Sequence, residues 1–254
     1  MYDFSKLVVM DRYTVMARVL PACIVAFPFA LVAYAWSPFD LNYAKGTTAA
    51  AAFACVAYAL SHIVRDAGKR LEERLVQAWG GWPSTAVLRH RDLTFDEVTK
   101  ARFHRRLVEC GAVAAMPTEA EESADPGKAD ATFASAATWL RGQTRDKKAF
   151  PLIFEENINY GFVRNLLGSR WYALTGAGLC TVLDGLLFWL GRSAGGPAIL
   201  SVAYAFVLLA GVNKSGLHRL SFTYARRLVE SIDALNAPKS KSKPRSRKPA
   251  PATP

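Results

Sequence analysis

Cysteine and histidine are scarce in this sequence, four of each in 254 residues, and that scarcity removes whole classes of chemistry. Cys23, Cys55 and Cys180 fall inside apolar runs and Cys110 in a charged one, with none of the spacing that a disulfide framework or a zinc site requires. They read as small apolar residues. Gly-rich phosphate loops, metalloprotease helices and nucleophile elbows are missing too. One phrase looks catalytic, since His90-Arg91-Asp92-Leu93 spells the opening of a protein-kinase catalytic loop. That loop needs an Asn five residues after its Asp to hold magnesium, and the chain has Glu97 there. The same letters have a local explanation: Thr94 and Glu97 form a capping box that opens a helix through Phe95, Val98, Arg102 and Leu107. No enzymatic activity and no cofactor are expected.

Charge is also missing from four long stretches, and this absence is the informative one. Val19 to Trp36, Thr47 to Val64, Trp171 to Leu190 and Gly195 to Val212 are free, or nearly free, of charge over the length a helix needs to cross a bilayer. Each pair is joined by a short loop, which predicts two helical hairpins, a 2 + 2 arrangement. Lys and Arg set the orientation. Each hairpin loop holds one, Lys45 and Arg192, and the other 30 of 32 lie outside them. Both termini and the middle segment are therefore expected in the cytosol, with the chain in the cytoplasmic (inner) membrane. Trp36 and Trp189 mark outer ends and Trp171 with Tyr172 an inner end, where amphipathic rings favour the interface. A secretory signal peptide ending near Ala33-Tyr34-Ala35 is the rival for the first span. Its apolar part is long and its leader extended for that purpose, which favours an uncleaved anchor.

The expected class is thus an all-α integral membrane protein of four transmembrane helices. Residues 1–18 form a cytosolic N-terminal segment, 19–64 the first hairpin, 65–170 a helical cytosolic insert and 171–212 the second hairpin. An amphipathic helix over 213–236 and a disordered basic tail over 237–254 complete it. The net charge of +11 is unevenly placed. Between Arg65 and Arg170 there are 17 basic and 15 acidic residues, an ordinary surface, whereas Lys214 to Pro254 holds 10 basic and 2 acidic residues. Lys239, Lys241, Lys243, Arg245, Arg247 and Lys248 are set among Pro, Ser and Ala, which cannot build a core. Tethered at the membrane, they are expected to contact anionic headgroups, at about 1 kcal/mol per basic residue. A solvated tail that only enforces topology is the plainer reading. With no aromatic residues interleaved, nucleic acid is an unlikely partner.

Helical stripes extend two of the spans. Val64, Ala67, Leu71, Leu75 and Ala78 keep one apolar face into the polar region, stopping near Gly80-Gly81. Leu217, Leu220, Tyr224, Leu228, Ile232 and Leu235 do the same after the fourth span, ended by Pro238. Two continuous stalks are expected, each needing a partner for its stripe: the other stalk, the insert or a second copy. Thr118 with Glu121 reads as a second capping box. The run from Ala149 to Asn157 allows a short strand.

Three groups of residues are candidate sites. Asp184 lies in the third span about six residues, or ~9 Å, from its outer end. An ionised carboxylate there costs about 2.5–3.5 kcal/mol on insertion scales, so it needs a partner, a proton or water. At that depth Ser201, Tyr204 and Cys55 are the groups within reach, while His62 lies in the opposite half. Ala177, Thr181 and Gly185, with Ala51, Cys55 and Ala59 on the second span, form small-residue ridges for close helix approach. Asp184 is thus either part of an ion pathway or a hydrogen-bonded residue that fixes packing. The second group is Glu155, Glu156, Asn157, Asn159, Tyr160, Arg164 and Asn165, a dense polar set leading into the third span. It is either a binding surface or hinge, or an interfacial helix with its polar side in water. The third is His104 with Arg102, Arg105 and Arg106 beside His90, a phosphate patch or a solvated helix face.

The functional expectation is a scaffold, sensor or subunit of a membrane complex, acting through its cytosolic helices with a protein partner or as a homo-oligomer. An ion channel or pore-forming effector gated by that domain is the alternative.

Overall fold

In the computed structural model, residues 11–35, 43–193 and 195–235 are described, and every regular element among them is helical. Ten helices follow in order. Helix α1 starts at Arg12–Thr14, widens into a π segment at Val15–Val19 and continues as Leu20–Ala35. Then come α2 (Tyr43–Ala78), α3 (Pro83–Ala86), α4 (Glu97–Glu109), α5 (Glu119–Ala124) and α6 (Pro126–Gln143). The described residues end with α7 (Pro151–Gly168), α8 (Arg170–Trp189), α9 (Gly196–Gly211), α10 (Lys214–Glu230) and a 3-10 turn at Ser231–Ala234. Trp36 and the basic positions Lys239, Lys241, Lys243, Arg245, Arg247 and Lys248 lie outside the described residues.

Among the described residues three helical stretches are long and apolar enough to cross a membrane: Arg12–Ala33, Gly46–Ala86 and Arg170–Trp189. A fourth exists if Gly196–Gly211 and Lys214–Ala234, which meet at 50°, count as one. These helices form an apolar bundle in which large side chains such as Val182, Phe188, Ile199 and Phe206 face outward. That is the pattern expected where the surroundings are hydrocarbon.

Helix α2 runs unbroken for 36 residues and stops where Gly80 and Gly81 adopt φ of +73° and +122°, a conformation that glycine takes without strain. Val64, Ala67 and Leu75 of its stripe are buried. The second stalk differs from expectation. Instead of continuing α9, the chain breaks at Val212, and Asn213 caps a new helix by accepting from the Gly216 N–H at 2.8 Å. The two stalks do not pair directly along their stripes. Helix α7 lies between them, so that Leu75 of α2, Tyr160 and Leu167 of α7 and Leu217 of α10 share one core cluster. The stretch that allowed a strand is the first half of this central helix, which Pro151 opens at a position where its missing N–H costs nothing.

The larger core belongs to the polar body. Leu88, Phe103, Leu107, Phe133, Leu140, Leu228 and Ile232 are almost wholly buried there, so α10 completes a core begun by α3, α4 and α6. Thr118 and Glu121 form the predicted capping box reciprocally. Thr94 does not cap α4. Asp92 Oδ1 holds the Thr94 N–H at 2.9 Å, and Asp96 caps the helix two residues later by accepting from Thr99 at 2.8 Å. The kinase-like phrase is packing as well. Arg89 makes a two-pronged bond to Asp130, 2.8 Å on each arm, and a third to the Gly80 carbonyl, also 2.8 Å. Buried Lys100 holds the carbonyls of His90 and Asp92. These bonds tie the loop after α2 to α4 and α6.

Candidate functional site

Two prolines in α1 set up the junction between the bundle and the polar body. A proline lacks an N–H, so the carbonyl four residues earlier loses its helical donor. Pro28 does this to Ile24, and Pro21, just after a π segment in which Leu20 bonds five residues back to Val15, offers Ala17 no N–H in the four-residue register. Both carbonyls are satisfied from elsewhere: Asn165 Nδ2 donates to the Ala17 oxygen at 2.6 Å, and the Tyr204 hydroxyl to the Ile24 oxygen at 2.8 Å.

Asn165 belongs to a chain of buried polar groups. Its Oδ1 accepts from Arg164 Nε and Nη2 at 3.1 and 3.0 Å. Arg164 Nη1 donates to both carboxylate oxygens of Glu72 at 3.2 Å, and the Tyr160 hydroxyl donates to the same carboxylate at 2.5 Å. The Glu72 and Arg164 side chains are each only 11% exposed. Burial, then the Glu72 charge, holds the Tyr160 phenol well above its ordinary pKa, so it remains a donor. No side-chain polar atom of this group lacks a partner. The network therefore links three elements, the π segment of α1, the outgoing half of α2 and α7. A half-satisfied buried network would be costly, whereas a complete one fixes a single arrangement. Glycines let the backbones come this close: α2 and α7 cross at Gly68 and Gly168, and Gly161 faces Ala17 and the Tyr13 hydroxyl.

The polar set expected along α7 is thus split. Tyr160, Arg164 and Asn165 point inward, so the picture of an interfacial helix with all its polar residues in water does not hold. Glu155 pairs with Arg12 at the margin, Asn159 is exposed, and Glu156 and Asn157 are half-buried. Sequence reasoning missed Glu72, which sits among exposed charges in the α2 stripe, and the acceptor role of Ala17. The signal for the latter was Pro21.

Asp184 is buried, 2% exposed, but its partners are neither Ser201 nor Tyr204. Ser193 Oγ donates to Oδ1 at 2.6 Å and the Ala198 N–H to Oδ2 at 2.9 Å. Ala198 lies in the first turn of α9, whose N–H groups lack helical acceptors, so Asp184 caps the neighbouring helix from across the hairpin. Ser201 Oγ is buried without a hydrogen-bond partner among the described residues. The small-residue ridges also differ: Ala51, Cys55 and Ala59 are exposed, while α8 packs on α1 through Ala173, Gly176 and Ala177, with Phe29 against Gly176. Four-residue spacing selects a face only when the opposite helix offers a matching one.

The basic cluster on α4 is split: the His90 and His104 rings meet edge to face at 5.0 Å, while Arg102 and Arg106 turn to other partners. His104 is buried, with Nε2 at 2.8 Å from the Leu88 carbonyl, and burial lowers its pKa to about 4. Arg102 pairs with Asp233, and Arg106 donates to the Leu235 carbonyl. No group of three or more metal-ligating side chains occurs among the described residues. Comparison with known protein families, with curated proteins and with solved structures finds no match.

Proposed function

We propose that the chain is a non-enzymatic integral protein of the cytoplasmic membrane, a scaffold or sensor subunit whose polar helical body and membrane bundle act as one unit. The observation that carries this reading is the complete polar network from Ala17 through Asn165, Arg164 and Glu72 to Tyr160, which fastens three helices where the apolar bundle ends. A flexible tether needs no such fastening. Four spans with both ends in the cytosol require α9, sixteen residues ending at the 50° break, to cross with α10 left in the polar body, an arrangement that the Lys and Arg distribution favours. The basic residues 239–248 would then lie at the anionic face of the bilayer. Asp184 serves packing in this reading, because both of its oxygens are taken by the outer hairpin.

The test is reconstitution into liposomes with ion flux recorded for the native chain and for Asp184→Asn, alongside native mass spectrometry in mild detergent. Absence of flux together with a homo-oligomer or complex of fixed stoichiometry is expected. Flux that the substitution alters would replace this reading with a channel or pore-forming effector gated by the polar body. In intact cells Leu93→Cys should be shielded from a membrane-impermeant thiol reagent and Arg192→Cys labelled by it, the expected orientation.

A further inference from the structure

Where α2 leaves the apolar bundle, Arg70 and Arg74 stand one turn apart and border a cavity of about 310 Å³. The opposite wall comes from the first residues of two other helices, Arg170 and Trp171 opening α8 and Lys214 opening α10. Four cations line one small space. None has a carboxylate partner among the described residues, and the one hydrogen bond any of them makes runs from Arg170 Nη1 to the Val212 carbonyl at 3.1 Å. Other arginines, Arg12, Arg89, Arg102, Arg164 and Arg226 among them, meet acids, and those that meet none among the described residues, such as Arg105 and Arg145, lie outside this cavity. Four like charges gathered without a counter-charge repel one another, and the helix termini of α8 and α10 add positive dipole ends to the same space.

The surroundings indicate which anion would relieve this. Leu71 and Leu167 give the cavity an apolar floor, and Trp171 and Tyr172 at its edge are 69% and 49% exposed. Exposed amphipathic rings at the first turn of a spanning helix mark headgroup depth, and basic pockets between helices at the cytoplasmic face suit phosphate-bearing headgroups. We propose that Arg70, Arg74, Arg170 and Lys214 form a binding site for a phosphate-bearing anion, supplied as an acidic phospholipid headgroup or as free phosphate. The lipid source rests on the membrane reading above; the phosphate chemistry does not.

Full-length protein purified in neutral detergent is titrated with short-chain phosphatidylglycerol, short-chain phosphatidylcholine and inorganic phosphate. Phosphatidylglycerol binding should weaken about 30-fold in the double variant Arg74→Gln plus Lys214→Gln. A charge-matched control, Arg105→Gln plus Arg145→Gln, should bind as the native chain does, and Lys214→Arg should retain binding. Displacement of the lipid by millimolar phosphate assigns the site to free phosphate, and failure of phosphate to compete assigns it to the headgroup. Equal phosphatidylglycerol affinity in the native chain and the double variant, with unchanged melting, overturns the proposal, as does equally tight phosphatidylcholine binding. Alkaline extraction of membranes reports embedding separately, so loss of the membrane reading would appear as release of protein whose phosphate binding is intact.

Discussion

Gly168 and Gly68 meet backbone to backbone: a Cβ added at Gly168 would stand 2.5 Å from the Gly68 Cα. Neither side of that contact can yield by changing a rotamer, so α2 and α7 would have to separate and stretch the polar network beside them. Gly168→Ala should destabilise the protein by about 1–3 kcal/mol, the range for overpacking a close contact. Gly185→Ala, with nothing within 4 Å of its new methyl, should be neutral or slightly stabilising in its helix. Denaturant titration of both variants in mild detergent checks the contrast.

Tyr204 and Pro28 should be thermodynamically coupled. Tyr204→Phe leaves the Ile24 carbonyl without its donor and should cost about 1 kcal/mol. In a Pro28→Ala background the backbone N–H of residue 28 can take that carbonyl, and the same tyrosine change should cost less than half as much. A double-mutant cycle by denaturant unfolding reads the coupling; equal costs in the two backgrounds would contradict it.

Removing the guanidinium of Arg164 strands a buried carboxylate. Arg164→Ala should cost about 3–5 kcal/mol, the usual penalty for breaking a buried pair from one side. Replacing both partners, Arg164→Met with Glu72→Met, should cost less than Arg164→Ala alone. Hydrogen exchange should show the loss of protection spreading from α7 into both α2 and the π segment of α1, since the network bonds all three.

His104 makes the polar body acid-sensitive. Its folded pKa of about 4, lowered chiefly by burial, lies below the 6.5 of an ordinary imidazole. Between those values the unfolded chain takes up a proton that the folded chain refuses, so stability falls as the pH drops from 6.5 towards 4. The full loss approaches about 3 kcal/mol. His104→Gln keeps a donor for the Leu88 carbonyl and carries no titratable group, so its unfolding free energy should vary less over that window.

What could be read from the sequence was whatever one helix encodes by itself. The α2 stripe and its end at Gly80-Gly81 follow from a three-and-four spacing and two adjacent glycines, and the Thr118–Glu121 box from a four-residue pattern. Thr94–Glu97 shows the limit, because Asp92 takes the Thr94 N–H and Asp96 starts the helix two residues later by accepting from Thr99. The site depended on residues far apart in the chain: Glu72 and Arg164 are separated by 92 positions, and nothing local distinguishes Glu72 from exposed Glu73. Asp184 was placed correctly inside, yet its partners lie in the turn and in the first turn of the next helix. The Gly195-Gly196-Pro197 run announces that helix start and its unmet N–H groups, a signal that points to a capping carboxylate.

The 50° break at Val212–Asn213 gives the α2 and α9–α10 connections between bundle and body different mechanical characters, with the α7–α8 junction at Ser169 as a third. Helix α2 is a strut: a rotation about its axis in the bundle arrives at Gly80 undiminished, some 54 Å along at 1.5 Å per residue. The α9–α10 connection is a knuckle, pinned at the Val212 carbonyl by Arg170, and it can absorb a tilt of the last apolar helix by changing its angle. Torque therefore travels along the unbroken α2, and displacement at the α8–α9 hairpin has a place to dissipate before it reaches the core around Leu228.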